Sequence, residues 1–255
     1  HIHGGEVTTG SVDDMIRHSI TKFSDFHFVS TDTYKKRVIQ MGENPKNVFN
    51  VGALGAENAK KIEIISKNEL EKKLSIKFSK YNFLITINSF IENKFSIENL
   101  LKNLFLALKK FKNTSFIFTM PNSDLQSDFI KYEILKFCKK NKNCYFFKSM
   151  GSKNYLSCIK VCDLVLGNSS SGILEAPTLN TATVNIGDRQ NGRVQANSII
   201  NSEHSSKKIY DSIRKSLSLN FKKKIKKTKN EYFKKNTAVN IVKIIERNIL
   251  NKRIE

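Results

Sequence analysis

Asp163-Leu164-Val165-Leu166-Gly167-Asn168-Ser169-Ser170-Ser171-Gly172-Ile173-Leu174-Glu175 reads as a short buried strand that runs through a glycine and serine loop into a helix. The apolar run is too short for a helix and ends at turn residues. The loop sets hydroxyls and backbone N–H groups at the positive end of the following helix dipole, which makes an anion site with phosphate the natural occupant. It is not a serine nucleophile elbow, because GxSxG would need glycine where Asn168 stands, and it lacks the lysine of a Walker A loop. One strand downstream, Asn185-Ile186-Gly187-Asp188-Arg189-Gln190-Asn191-Gly192-Arg193 places two arginines on a glycine-containing loop. Guanidinium groups there suit a phosphate or carboxylate bidentately. Two such loops on neighbouring strands predict a diphosphate pocket.

Outward from this unit, strand and helix patterns alternate. Strands are expected at 82–87, 115–120, 144–147, 163–166 and 183–186, with helices at 97–111, 128–139, 153–161 and from 172 onward. Earlier in the chain, a helix opens at Asp13-Asp14 and runs through Met15, Ile16, Ile20 and Phe23, with the acidic pair suiting its N-terminal dipole. A strand at 26–30, a helix at 33–41, a strand at 48–52 and a polar helical stretch over 59–80 follow. The fold class is therefore α/β with mostly parallel sheets. Three segments are expected: 1–80, the end of a first Rossmann-like domain; 81–229, a complete second one; and 230–255, a C-terminal helix that packs back towards the first. In open α/β sheets ligands sit at the carboxyl ends of strands, so chemistry is expected in the loops after Val51, Ile87, Met120, Phe147, Leu166 and Ile186.

Composition excludes several classes. With 255 residues, 39% hydrophobic and 26% charged, the chain can bury a core, and no apolar run reaches the length of a membrane span. The net charge of +21 comes from lysines spread over exposed helix faces, so neither nucleic acid nor a membrane is the expected partner. One denser block, Lys222 to Lys235, is suited to an anionic partner. Cys138, Cys144, Cys158 and Cys162 form no CxxC pair, and reduced structural thiols in a cytoplasmic protein are expected.

The third chemical cluster is His1-Ile2-His3-Gly4-Gly5-Glu6, followed by Asp13, Asp14, Arg17 and His18. If extended, His1 and His3 share a face, which admits a metal. General acid/base work by carboxylates and imidazoles beside a Gly-Gly turn is the preferred reading.

Together, the segment from His1 to Ser30, then Val48-Phe49-Asn50-Val51-Gly52-Ala53-Leu54-Gly55, the serine loop and the arginine loop resemble the hydrolysing UDP-N-acetylglucosamine 2-epimerases of sialic and legionaminic acid biosynthesis. The resemblance covers nearly the whole chain and implies roughly another 90 residues before it, a glycosyltransferase-B-like fold with two Rossmann-like domains, the first incomplete, and a sugar nucleotide in the cleft between them. It implies elimination of UDP to a 2-acetamidoglucal and addition of water to give N-acetylmannosamine, with a UDP-sugar as partner, no cofactor, no metal and a homodimer. By motif, His3, Glu6 and Asp13 fall in the catalytic segment with His1, Arg17 and His18 beside it. Ser169 and Ser170 match phosphate-binding serines, Glu175 the ribose ligand and Arg189 a residue lining the nucleotide site, with Ser171 and Arg193 as further substrate-binding candidates beside them. Where the family carries a His-Pro after the first strand of its second domain, this chain has Asn88-Ser89, and an amide cannot transfer a proton near neutral pH. The chain by itself is expected to be inactive. The substrate stays open between UDP-N-acetylglucosamine and a 2,4-diacetamido-trideoxy sugar nucleotide, as do the identity of the base and a binding role without catalysis.

Overall fold

The computed structural model describes residues 1–8, 13–90, 96–123 and 126–252. Residues 9–12 of the His1 segment and the expected end of the C-terminal helix at 253–255 lie outside them. Two parallel sheets organise the chain. The first pairs β1 (His27–Val29) with β2 (Val48–Asn50), and Ile2 adds a parallel bridge to Phe28. Helix α1 (Asp13–Lys22) precedes β1, α2 (Asp32–Gln40) crosses from β1 to β2, and α3 (Leu54–Lys61) and α4 (Lys67–Leu74) follow. The stretch expected as one helical run over 59–80 is thus two helices. Ile62 turns extended after α3, and the Ser66 hydroxyl accepts the Glu69 N–H to start α4 afresh.

The second sheet is β3 (Tyr81–Thr86), β4 (Thr114–Thr119), β5 (Cys144–Phe147), β6 (Leu164–Gly167), β7 (Ala182–Ile186) and β8 (Ile199–Ser202). Its strands are all parallel in the order β5-β4-β3-β6-β7-β8. The chain leaves β3 in one direction and resumes at β6 in the other, so a crevice opens between the carboxyl ends of β3 and β6. Alternation decides the two faces. Phe83, Ile85, Phe116 and Phe118 pack under α5 (Ile97–Leu108), α6 (Ser127–Lys139) and α9 (Ser206–Leu217). Leu84, Ile117 and Val165 pack under α4, α7 (Gly151–Val161) and α8 (Ser171–Thr178). Strand β8 and helix α9 were not anticipated; Ile209 and Ile213 of α9 supply one-turn apolar spacing to the core.

After the short α10 (Leu219–Ile225), the chain crosses back. Tyr232 joins the core of Val29, Tyr34, Val38 and Val48, and Ile241 of α11 (Thr237–Lys252) packs with Phe28 and Val51.

One apolar face stays open and one expectation changes. The apolar stripe that marks α1 points outward, with Met15, Ile16, Ile20 and Phe23 all exposed. Cys138 and Cys144 are joined in a disulfide rather than reduced, because the tight α6–β5 connection, closed by Asn141 N–H to Cys138 O and Cys144 N–H to Asn141 O, leaves their Cα atoms 4.9 Å apart. Cys158 and Cys162 are free and buried, and burial pushes the Cys158 thiol up to about 12. Among the described residues no helix is long and apolar enough to cross a membrane.

Candidate active site

The serine loop lies where its sequence places it. Gly167 closes β6, and Ser169, Ser170 and Ser171 lead into α8, with Ser171 Oγ held by the Tyr155 hydroxyl at 2.5 Å and by Ser169 Oγ at 3.1 Å. Asn88 stands opposite, across the crevice. Its N–H donates to Asn168 Oδ1 at 2.7 Å, the Asn168 amide donates back to Asn88 O at 2.8 Å, and Asn122 N–H donates to Asn88 Oδ1. Asn88 therefore ties together the ends of β3, β4 and β6, its main-chain N–H and C=O meeting Asn168 and its side-chain Oδ1 accepting from Asn122 N–H. The β7 loop is lashed to the same point, with Arg189 Nη1 and Gln190 Nε2 donating to Asn168 O at 3.2 and 2.8 Å. The adjacency of serine and arginine loops follows from the pairing of β6 with β7.

The His1–Glu6 turn faces this loop from the first sheet. His3 adopts φ +67°, so the segment is not extended and the two histidines diverge. His1 Nδ1 meets Thr21 Oγ1 at 3.1 Å, while His3 Nδ1 meets Glu6 Oε1 at 3.1 Å. The shared face needed for a histidine pair on a metal is absent, and among the described residues no three His, Cys, Asp or Glu side chains gather to hold one. Gly5 permits the turn: at φ +76° a Cβ would lie 2.6 Å from Tyr34 O, and Arg37 Nη1 donates to Gly5 O.

Glu6 is the hub. Fully buried at 3% exposure, it receives Ser30 Oγ at 3.1 Å, His3, and Arg193 Nη2 at 3.1 Å. Burial raises a carboxyl's pKa, yet the His3 hydrogen bond, the Arg193 charge and Ser30 outweigh it and hold Glu6 below its ordinary value. Glu175, one turn into α8, is its opposite. Its Oε2 is buried without a hydrogen-bond partner, its Oε1 lies so near Gly55 of α3 that a Cβ there would come within 2.5 Å, and burial pushes it up to about 7 against the milder pull of its own N–H, Arg193 and His3. Two carboxylates flanking one guanidinium are thus driven apart in pKa. Arg193 itself retains buried Nε and Nη1 atoms with no hydrogen-bond partner.

The remaining expected residues are dispersed. Arg17 Nη1 is engaged by Asp14 Oδ1 at 2.7 Å, Thr8 Oγ1 and Glu6 O, so it buttresses the turn rather than facing the cleft. Asp13 is exposed in the first turn of α1, and His18 keeps a buried Nδ1 without a partner. Ser30, Tyr34 and Tyr232 were missed. The rule that points to strand ends also covers the end of β1 and would have found Ser30.

Raised Glu175 has a consequence for stability. Between its ordinary 4.5 and about 7 the folded chain holds a proton that the unfolded chain has released, so stability falls as pH rises through that window. Urea titrations at about pH 4 and about pH 8, on either side of that window, are expected to show this slope, and Glu175→Gln is expected to flatten it; an unchanged slope in the variant removes the assignment.

Residues 1–246 match the family model described as UDP-N-acetylglucosamine 2-epimerase. A polysialic acid biosynthesis protein, P7, of Escherichia coli is 43% identical over 253 residues, which span 99% of this chain and 64% of that protein. A GDP/UDP-N,N'-diacetylbacillosamine 2-epimerase (hydrolyzing) of Campylobacter jejuni is 43% identical over 204 residues, 80% of this chain and 53% of that protein. The chain thus spans only part of the length of these relatives. In fold it resembles a UDP-GlcNAc 2-epimerase from Neisseria meningitidis, solved with UDP-GlcNAc bound, with a TM-score of 0.80 at 18% identity over 97% of this chain and 69% of that one.

Proposed function

The chain belongs to the UDP-N-acetylglucosamine 2-epimerase family, and from that premise we propose that it forms the substrate cleft of a hydrolysing 2-epimerase that converts UDP-N-acetylglucosamine to N-acetylmannosamine and UDP in nonulosonic acid biosynthesis. The observation that carries the reading is Arg193, a buried guanidinium with two unpartnered nitrogens between ionised Glu6 and unpartnered Glu175, beside the serine loop. A departing diphosphate needs such cationic and N–H stabilisation of its growing charge. In this reading the N-terminal end of α8, with Ser169, Ser170 and Ser171, and the arginines Arg189 and Arg193 hold the diphosphate. The open Oε2 of Glu175 accepts the ribose hydroxyls, which favours its ionised form.

In the elimination, a base takes the C2 proton, the C1–O bond breaks, and its electron pair leaves with UDP, giving 2-acetamidoglucal. Water then adds hydroxyl at C1 and a proton at C2 on the opposite face. We assign the removal of the C2 proton to His3, whose Nδ1 is held by Glu6 while Nε2 remains the exchanging atom; the proton added on the opposite face comes from a second donor on that face. Asp13 is kept with His3 and Glu6 as a catalytic candidate, and Asn88 is assigned to a substrate contact. The likeness to the Campylobacter jejuni enzyme supports a second reading, the same reaction on a UDP-2,4-diacetamido-trideoxy sugar.

The domain division is proposed as 1–80, 81–229 and 230–255, with α4 leaning from the first onto the second sheet. The protein is also proposed to act in the cytoplasm as a homodimer, for which the outward stripe of α1 supplies apolar surface.

The test offers both UDP-sugars to the protein restored to its relatives' length and follows UDP and free sugar together. Release of UDP with N-acetylmannosamine supports the first reading, and release from the diacetamido sugar alone supports the second. Binding of UDP with no turnover of either leaves a nucleotide-binding relative.

A further inference from the structure

Residues 187–198, the loop that carries Arg189 and Arg193, cross from the second sheet to the first, and each step of the crossing is fastened. Asn168 O holds Arg189 and Gln190 on the near side. On the far side Gly192 sits so close to Val7 that a Cβ would come within 2.7 Å of Val7 Cγ1, and Arg193 meets Glu6. The next residue makes a bond of a different kind. Val194 N–H donates to the Tyr34 hydroxyl oxygen at 3.0 Å, and that oxygen lies 2.5 Å from the Tyr232 hydroxyl. Both tyrosines are fully buried, one on α2 and one on the returning chain, where Tyr232 O also accepts Ala53 N–H.

We propose that Tyr34 is a positioning residue for substrate binding: its hydroxyl, oriented by Tyr232, clasps the main chain at Val194 and so sets where the adjoining Arg193 guanidinium sits against Glu6 and the diphosphate. The claim about the ligand rests on the function proposed above; the clasp does not. A phenol oxygen accepts from one donor here and still has one proton and one lone pair, which Tyr232 satisfies in either role. Burial raises the pKa of both phenols, so the pair stays neutral and keeps its hydrogen-bonding capacity. Loss of the Tyr34 hydroxyl leaves Val194 N–H and the Tyr232 hydroxyl unpartnered, whereas loss of the Tyr232 hydroxyl leaves the Val194 bond intact. Both rings remain in Tyr34→Phe and Tyr232→Phe, so a role in packing alone predicts that neither variant has an effect.

Three measurements on this chain decide it. In the unaltered chain the Val194 amide is expected to exchange with solvent at least about tenfold more slowly than those of Gln195 and Ala196; equal rates overturn the clasp without any variant. Tyr34→Phe is expected to raise tryptic cleavage after Arg193 about tenfold, with other sites unchanged, and Tyr232→Phe by less than about threefold. Equal cleavage in the unaltered chain and Tyr34→Phe overturns it. The dissociation constant for UDP, by titration calorimetry, is expected to rise about tenfold in Tyr34→Phe. A chain that binds no UDP sinks the proposed function, while exchange and proteolysis still decide the clasp; normal UDP affinity in a variant with a freed loop overturns the positioning role.

Discussion

Glu6→Ala is expected to destabilise the chain by about 3–5 kcal/mol, lowering its melting temperature by roughly 10 °C for a protein of this size. The cost comes from what is left behind. Arg193 is 9% exposed and already has two buried nitrogens without partners, so its bond to Glu6 Oε2 is the contact that offsets burial of its charge. Ser30 Oγ and His3 Nδ1 would lose their acceptor in the same change. Because the penalty belongs to the orphaned guanidinium rather than to the pair, Glu6→Ala with Arg193→Met is expected to recover most of it. Urea unfolding followed by circular dichroism gives all three values. A loss under about 1 kcal/mol in the single variant would mean that water reaches Arg193, and the electrostatic account of the cleft would fall with it.

That hub shows what a sequence can and cannot disclose. The serine loop was legible because strand, loop and helix cap are consecutive, and its neighbourhood with the arginine loop followed from parallel strand order. The Glu6–Arg193 bond was not, since it depends on how two sheets face each other. The Tyr34–Tyr232 contact joins residues 198 apart in the chain and has no local signature. The histidine pair failed for a backbone reason: period-two reasoning assumes extended chain, and His3 at φ +67° is not extended. The α1 helix was legible from its period, but its exposure was not, because periodicity identifies an apolar face without saying what it meets. The disulfide followed from a turn whose closure the cysteine spacing alone did not reveal.

Gly167→Ala is expected to cost more than about 4 kcal/mol and to leave little soluble, cooperatively folding protein. The position has φ +129°, outside the range that L side chains occupy, and an added Cβ would stand 2.0 Å from Thr86 O. Neither side can yield. Thr86 ends β3, the strand paired with both β4 and β6, and its carbonyl also accepts Asn168 N–H. Gly55→Ala provides the contrast: its Cβ would meet only the Glu175 carboxylate at 2.5 Å, the end of a flexible side chain. That variant is expected to fold, to lose less than about 1 kcal/mol, and to bind UDP more weakly because the carboxylate is pushed aside. Gly151→Ala, at φ +70° with nothing within 4 Å, isolates the backbone term at about 1 kcal/mol. Soluble yield and urea unfolding rank the three variants. A Gly167→Ala protein that unfolds cooperatively near the unaltered midpoint would mean that β3 and β6 do not approach as described, and the crevice that places Ser169 opposite Asn88 would lose its basis.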